Sequence, residues 1–197
     1  MANEKRTYRL KKRADDMAET RRRITEAAVE LHGSVGPAHT TISAVAERAG
    51  VQRHTVYRHF PTEEDLFAAC SSHYAEANPL PDATAWRGIE DPGERLATAL
   101  GELFAYFERT EEMWTRVYRD LDMPVLQTTM QPMDAYFEDA VAVLARGRRR
   151  RRAVTAALRH GTRFETWRSL VHEGGLSRAQ GVELVSALVT AADSPAG

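Results

Sequence analysis

The chain has little cysteine, no long apolar run and no stretch of alternating apolar and polar residues. Its 197 residues contain one cysteine, Cys70, so an intrachain disulfide is excluded and the reducing cytoplasm is the expected compartment. No apolar run approaches the roughly 18 to 20 residues that span a bilayer, so no membrane segment is expected. The charged start, MANEKRTYRLKKRADD, has no apolar stretch behind it and is not predicted to be a secretory signal.

Catalytic and metal-binding motifs are also missing. The sequence contains no G-x-G-x-x-G, P-loop, H-E-x-x-H or nucleophile elbow. Cys70 and His73 are three residues apart on one predicted helix, but two ligands do not make a metal site. We therefore expect no enzymatic activity, no metal and no cofactor.

Charge is unevenly distributed along the chain. Residues 1–60 hold 12 Lys or Arg against 7 Asp or Glu, a net charge of +5, and the remainder has a net charge of −6. A basic front favours a polyanionic partner, usually nucleic acid. Residues 1–19 show no apolar periodicity and are predicted to be a flexible basic arm, which either contacts DNA or is simply solvated. Its cations include Arg6, Arg9, Lys11, Lys12 and Arg13.

From residue 20 onward the apolar spacing is typical of helices, and four of them are predicted up to about residue 77. Thr41 is a suitable N-cap for a short second helix, and Gly50 suits a left-handed C-cap that ends it. A third helix is predicted from Val51 to Phe60. Thr62 then caps a fourth helix, whose first turn is acidic.

The third helix, in the stretch GVQRHTVYRHF, carries more long hydrogen-bond donors than a solvated face needs. Val56 and Phe60 share its inner side, while Arg53, His54, Thr55, Tyr57 and Arg58 spread over the remaining arc. Two short helices joined by a glycine turn are typical of a helix-turn-helix, whose second helix enters the DNA major groove. Arginine can bond both acceptors of a guanine edge there.

The stretch TTISAVAERAGVQRHTVYRHFPTEEDLF, Thr40 to Phe67, resembles the TetR family of transcriptional regulators. The resemblance implies an all-α protein with an N-terminal helix-turn-helix domain and a C-terminal ligand-binding and dimerisation domain. It also implies a homodimeric repressor that leaves a (pseudo)palindromic double-stranded DNA operator when a small-molecule effector binds. A ligand-independent regulator or an architectural DNA-binding protein is the alternative.

The resemblance also implies roles for individual side chains. Arg53 and His54 would read bases, and the others would contact mainly phosphate. The expected DNA-binding set is Thr41, Ser43, Arg53, His54, Thr55, Tyr57, Arg58 and His59. Two residues depart from the family pattern: Gln52 replaces a capping Ser, and Glu63 replaces a Lys that grips the DNA backbone.

The predicted domains are a flexible arm at 1–19, the DNA-binding domain at 20–66, a ligand-binding and dimerisation domain at 67–192 and a disordered tail at 193–197. The run Arg146 to Arg152 is expected to be a solvated, mobile connection, with a secondary contact to DNA or an acidic partner as the alternative.

Large apolar residues in the second domain are candidates for an effector pocket, with ordinary core as the alternative. Methionines beside aromatic rings make an adaptable lining for an apolar or amphipathic ligand. The set is Phe104, Phe107, Trp114, Tyr118, Met123, Met130, Met133, Tyr136, Phe137, Phe164 and Trp167.

Two closing helices, at about 151–172 and 177–192, have apolar faces wider than one core requires, which predicts a dimer interface. The alternative is that both helices are central to the core of one chain. The predicted interface set is Ala157, Gly161, Leu184, Leu188 and Ala191.

Overall fold

The computed structural model describes residues 2–149 and 151–194, with side chains from residue 7 onward. Within these ranges the regular structure is helical and contains no strand, which confirms the all-α prediction. The helices are α1 (Ala2–Ser34), α2 (Ile42–Ala49), α3 (Arg53–His59), α4 (Glu63–Ala77), α5 (Pro92–Arg119), α6 (Pro124–Thr129), α7 (Gln131–Leu144), α8 (Arg152–Gly161), α9 (Phe164–Trp167) and α10 (Arg178–Asp193). Short 3₁₀ turns span Pro37–His39 and Ala85–Gly88, and a π-helical turn, Arg168–Glu173, follows α9.

The chain divides into two compact units. The N-terminal unit comprises the residues up to 78 together with 115–129, and the C-terminal unit comprises 79–114 and the residues from 130 onward. The domain boundary expected at 66/67 falls inside α4, and we correct it. Leu66 and Cys70 of α4 are buried in the same apolar cluster as residues of α1, α2 and α3, so α4 completes the N-terminal unit.

Helix α1 begins at Ala2 and therefore replaces the flexible arm predicted for residues 1–19. Residues 7–19 contain neither glycine nor proline and consist mainly of good helix formers. A helix that is already nucleated by the packed residues after Thr20 can extend through such a stretch without an apolar face. The missing periodicity correctly indicated that this stretch is not packed, but it did not indicate the backbone conformation.

The core of the N-terminal unit forms where α1 crosses the short helices. Ile24 and Ala28 of α1, Val45 of α2 and Val56 of α3 are all fully buried. Cys70 belongs to this core, and burial raises the pKa of its thiol to about 12, which leaves it protonated and unreactive near neutral pH. This packing agrees with the helical apolar spacing predicted from residue 20 onward.

The predicted helix at 151–172 is interrupted. Helix α8 ends at Gly161, and α9 begins at Phe164 after a break at Thr162. The Thr162 hydroxyl donates to the Leu158 carbonyl at 3.0 Å, and the Thr166 hydroxyl donates to the His160 carbonyl at 2.5 Å. Threonine hydroxyls compete with backbone N–H groups for helical carbonyls, which favours a bend at such sites.

Residues of the arginine run between α7 and α8 form a hydrogen bond and an ion pair with the last residue of α10. This differs from the solvated, mobile connection that we expected. The Arg148 side chain is only 6% exposed, donates to the Pro92 carbonyl at 2.5 Å and lies 3.8 Å from the Asp193 carboxylate. The Arg149 N–H donates to the same carboxylate at 2.9 Å. Asp193 is thus the last residue of α10 and not part of a disordered tail. Residues 195–197 of that predicted tail lie outside the described residues.

Candidate nucleic-acid interface and effector site

Local capping sets the two short helices at their predicted positions. The Thr41 hydroxyl accepts a hydrogen bond from the Ala44 N–H at 3.1 Å, which fixes the start of α2. Gly50 adopts φ 65° and ψ 39°, the left-handed conformation that glycine enters without a steric penalty. Helix α2 therefore ends at this residue, and the chain turns into α3.

The inner side of α3 is buried and its outer side is exposed, as predicted. Val56 and Phe60 are 0% and 2% exposed, so they fix the helix on the core. Gln52 occupies the N-cap of α3 and makes no capping hydrogen bond through its side chain. The capping hydrogen bond that a Ser would supply is therefore missing at Gln52. The first turn of α3 is held instead by the packing of the helix on the core.

Arg53 and Tyr57 form a pair on the exposed side of α3, one helical turn apart. The Arg53 Nη2 donates to the Tyr57 hydroxyl at 3.3 Å, and the guanidinium lies 5.9 Å from the ring centroid. Tyr57 is 47% exposed although it is a large side chain. The pairing places one guanidinium and one hydroxyl side by side, ready to donate to base edges or phosphates.

The other predicted DNA-binding residues differ in how exposed their side chains are. Thr41, Ser43, His54 and Arg58 are exposed, and Thr55 is half-buried. In His59, the ring atom Nε2 is buried and has no hydrogen-bond partner. Burial, together with the neighbouring cations Arg58 and Arg21, lowers the pKa of the His59 imidazole below its usual value.

Two arginines of α1, which no sequence motif singles out, hold the helix-turn-helix in place. The Arg21 Nη1 donates to the His59 carbonyl at 2.5 Å, and its guanidinium lies 4.0 Å from the centroid of the Phe60 ring. Arg23 donates to the carbonyls of Ala49 and Gly50. Cations are stabilising at helix C-termini, where backbone carbonyls lack helical partners. These arginines therefore position α2 and α3 from outside the motif.

Side chains at the end of α5 form hydrogen bonds with the backbone of the linker between α1 and α2. The Asp120 carboxylate accepts the Ala38 N–H at 3.0 Å, and Arg119 donates to the Val35 carbonyl at 2.9 Å. The Arg119 guanidinium, bonded to Asp120, holds the pKa of that carboxyl below its usual value. The end of α5 thus fixes the backbone that leads into the helix-turn-helix.

Glu63, the unusual residue after the recognition helix, is exposed in the first turn of α4. This helix starts with a complete capping box between Thr62 and Asp65, at 3.1 and 3.2 Å. A carboxylate at this place complements the positive end of the helix dipole. Glu63 therefore favours the start of α4, while a lysine would favour a phosphate contact.

Six of the eleven candidate pocket residues are buried in the C-terminal unit, where most of their rings stack on one another. Phe107 is central, with its ring centroid 5.6 Å from Phe164, 6.2 Å from Trp167 and 6.3 Å from Phe137. Trp114 stacks on Phe164 at 5.8 Å. The six, which we call the aromatic cluster, are Phe104, Phe107, Trp114, Phe137, Phe164 and Trp167.

One atom of the aromatic cluster is unsatisfied. Trp167 is 1% exposed, and its indole Nε1 has no hydrogen-bond partner. A buried donor without a partner costs free energy, on the order of 1 to 3 kcal/mol. The remaining five candidates are only half-buried; Tyr118 and Met123 belong to the N-terminal unit, and Met130, Met133 and Tyr136 to the C-terminal unit.

The predicted dimer residues separate into two groups. Leu184 and Leu188 of α10 are 50% and 46% exposed, and Ala191 is exposed on the same side. Ala157 and Gly161 are buried within the chain, and a Cβ at Gly161 would overlap Val185 of α10. Because both residues are buried within the chain, the proposed interface keeps only Leu184, Leu188 and Ala191.

Neither a metal site nor a membrane span is found among the residues that the structure describes. No group of three or more His, Cys, Asp or Glu side chains is placed to hold a metal ion there. Likewise, none of the helices in those ranges is long and apolar enough to cross a membrane.

Comparison with known proteins identifies the motif. Residues 24–70 match the family described as "Bacterial regulatory proteins, tetR family", a span that begins at the core residue Ile24 and ends at Cys70. This N-terminal region therefore has the helix-turn-helix of TetR-family regulators. TetR-family proteins are transcriptional regulators and not enzymes, in agreement with the absence of catalytic motifs from the sequence.

Among individual relatives, this chain is similar to the HTH-type transcriptional regulator SrpR of Pseudomonas putida. The two are 34% identical over 93 residues, which are 46% of this chain and 42% of SrpR. The match therefore spans less than half the length of that relative.

The similarity of the fold extends further than the similarity of the sequence. A TetR-like transcriptional regulator from Rhodococcus sp. RHA1 superposes with a TM-score of 0.61 at 19% identity, over 87% of this chain and 93% of that one. The multidrug binding protein EbrR, solved in complex with imidazole, gives a TM-score of 0.55 at 23% identity, over 89% and 96% of the two chains. Both units thus have the fold of TetR-family regulators.

Proposed function

We propose that this protein is a transcriptional repressor that binds a DNA operator through α3. The observation that supports this most strongly is the Arg53–Tyr57 pair, which stands exposed on a helix whose opposite side, Val56 and Phe60, is buried. Arg53 reads a base edge, and Tyr57 with Thr41 and Ser43 contacts the neighbouring phosphates. A regulator of this kind works where bacterial DNA is, in the cytoplasm, and the reduced, buried thiol of Cys70 suits that compartment.

Selection of bound duplexes from a random-sequence library tests this proposal. The wild-type protein should enrich one sequence, and Arg53→Ala should weaken binding to it by about 1 to 3 kcal/mol and relax the preference at one base pair in each half-site. Ser72→Ala on α4 is a control that removes one exposed hydroxyl away from α3. If wild-type protein enriches no sequence, the proposal is wrong; if Arg53→Ala keeps the same base profile, Arg53 is not the reading residue.

The operator is expected to be (pseudo)palindromic because we propose that the protein acts as a homodimer. Leu184, Leu188 and Ala191 form an exposed apolar stripe beside the buried Val185 and Val189 of the same helix. Two such stripes related by two-fold symmetry bury each other, and two recognition helices then meet two half-sites. One seven-residue helix contacts too few base pairs for tight specific binding.

We further propose that a small apolar or amphipathic effector binds in the C-terminal unit and releases the operator. The aromatic cluster supplies stacking surface, and the unsatisfied Nε1 of Trp167 supplies a donor for an acceptor atom on the ligand. EbrR, which has the same fold, is described as a multidrug binding protein. Helix α5 carries Phe107 and Trp114 of the cluster, so a ligand bound there would contact this helix directly.

Thermal stabilisation by a small-molecule library tests the effector. A binder should raise the melting temperature, quench tryptophan fluorescence and weaken operator binding. Trp167→Phe keeps a ring but removes the N–H, so it should weaken the binding of acceptor-bearing compounds and leave operator binding unchanged. A library in which no compound stabilises the protein would favour the alternative, a ligand-independent regulator or architectural DNA-binding protein.

A further inference from the structure

We propose that the first turns of α1 form a second DNA contact, in which Arg9 and Arg13 bind the phosphates flanking each half-site. This inference rests on the proposed DNA-binding function and extends it to a segment outside the helix-turn-helix. Its starting observation is that every side chain from residue 7 to residue 19 is exposed, although the backbone is helical throughout. A helix with no packed face gains little stability for the chain on its own, so the role of this segment lies in a contact made elsewhere.

The charges of the segment point to an anionic partner. Residues 7–13 hold four cations and no acid, whereas the acids Asp15, Asp16 and Glu19 follow closer to the body of the protein. Cations near a helix N-terminus oppose the helix dipole, so this order is unfavourable within the isolated chain. Arg9 and Arg13 form no ion pair within the part of the chain that the structure describes. An external polyanion would offset the unfavourable interaction with the helix dipole and supply the ion pairs that these arginines lack.

The position of the segment selects DNA as that polyanion. Arg21 of α1 bonds the carbonyl of His59, the last residue of the recognition helix. The exposed segment therefore leaves the body of the protein at the end of α3, next to the proposed DNA surface. From Arg21 to Arg9 the helix rises about 18 Å, which is about five base pairs of duplex. The segment is long enough to reach the flank of a half-site.

Helical spacing identifies which cations face the same way as the packed side of α1. Steps of three or four residues lead from Ile24 and Thr20 back through Met17 to Arg13 and Arg9. The side that packs on the other helices at Ile24 therefore continues as a cationic row beyond the point where α3 ends. Lys11 and Lys12 lie on other sides of the helix, which makes them a matched control.

Operator duplexes of two lengths test the proposal, using the full-length protein. One duplex is the core sequence obtained by selection, and the other adds about ten base pairs of arbitrary sequence, roughly one helical turn, at each end. Wild-type protein should bind the longer duplex about tenfold or more tightly, and Arg9→Gln with Arg13→Gln should remove that gain. The salt dependence should also fall, by roughly 0.9 in the slope of log affinity against log salt for each phosphate that is no longer neutralised. Lys11→Gln with Lys12→Gln should keep most of the gain.

The controls separate this inference from the function on which it rests. Far-UV circular dichroism should show the same helix content in all three proteins, and their binding to the core duplex should be similar. If wild-type protein binds the core but gains nothing from the flanks, the proposal is wrong and the DNA-binding function stands. If the arginine and lysine double variants lost the same part of the affinity gain, the proposal would also be wrong. Arg9 and Arg13 would then not form a distinct side of the helix that faces DNA. Failure of wild-type protein to bind any selected core would refute the proposed function itself.

Discussion

The helix-turn-helix of the N-terminal unit and the aromatic cluster of the C-terminal unit are held together by different interactions. In the first, polar contacts fix the backbone: a Thr41 cap, a left-handed Gly50 and arginines on helix-end carbonyls. In the second, stacked rings fill the space between α5, α7 and α9, and small residues bring α8 and α10 together. The first arrangement presents exposed side chains on a fixed frame, as reading a DNA surface requires. The second encloses apolar surface, which is the kind of surface that the proposed effector would contact.

The largest effect on assembly and operator binding is expected from a substitution in the exposed apolar stripe of α10. Leu188→Asp places a charge on the exposed stripe of α10, so we expect a folded monomer in which operator binding falls by about 100-fold or more. Analytical ultracentrifugation gives the mass, and circular dichroism shows that the helices persist. Thr190→Asp, on the far exposed side of α10, is the control and should stay dimeric. A wild-type mass of one chain, 22.1 kDa, at micromolar concentration would end the dimer proposal.

A pair of glycines tests how closely the C-terminal unit is packed. A Cβ at Gly161 overlaps the Val185 side chain, so Gly161→Ala should destabilise the protein by about 1 to 3 kcal/mol. Gly101, in α5, has no atom within 4 Å of the corresponding position. Gly101→Ala should be neutral or stabilise by up to about 1 kcal/mol, because alanine favours helix. Denaturant unfolding of both variants measures the difference, and equal effects would show that α8 and α10 tolerate separation.

The two regions also differ in how far the sequence could predict them. Thr41, Gly50 and Thr62 act on residues three or four positions away, so their roles follow from short-range spacing, and the structure confirms all three. The roles of Arg148 and Gly161 depend on Asp193 and Val185, more than twenty residues further along the chain. No local pattern encodes such a pairing, so the sequence did not predict the hydrogen bonds of Arg148 or the close packing of Gly161 on Val185. For the same reason the sequence did not predict the roles of Arg21 and Arg23, whose hydrogen-bond partners lie at the ends of α3 and α2.

Acid should weaken the N-terminal unit through His32. This side chain of α1 is 6% exposed and stacks on Phe67 of α4 at 4.7 Å, and burial lowers its pKa to about 4. Below about pH 6.5 the unfolded chain takes up a proton that the folded protein resists until about pH 4. Stability should therefore fall as the pH drops through this window, by about 2 kcal/mol between about pH 7.5 and pH 5.

The His32→Phe variant isolates this contribution, since it keeps a stacked ring and removes the titrating group. Its unfolding free energy should depend less on pH, and the difference from wild type should develop between about pH 6.5 and pH 4. Urea unfolding at several pH values measures both curves. Parallel curves would mean that His32 is protonated as readily in the folded protein as in the unfolded chain, and that the stacking on Phe67 is open to solvent.

The smallest expected effect tests whether the helix-turn-helix depends on contacts beyond its own sequence. Arg22 and Arg23 are neighbours on α1, but Arg22 pairs with the exposed Glu19 and Glu26, whereas Arg23 donates to carbonyls at the end of α2. Arg22→Gln should change little, since exposed ion pairs contribute little. Arg23→Gln leaves those carbonyls without a cation at the turn, so it should cost about 1 kcal/mol of stability. Because this turn sets the angle of α3, Arg23→Gln should also weaken operator binding several-fold while keeping the base preference of wild type. The two variants remove the same charge from adjacent positions, so equal behaviour in unfolding and DNA-binding assays would show that the capped turn is rigid by itself.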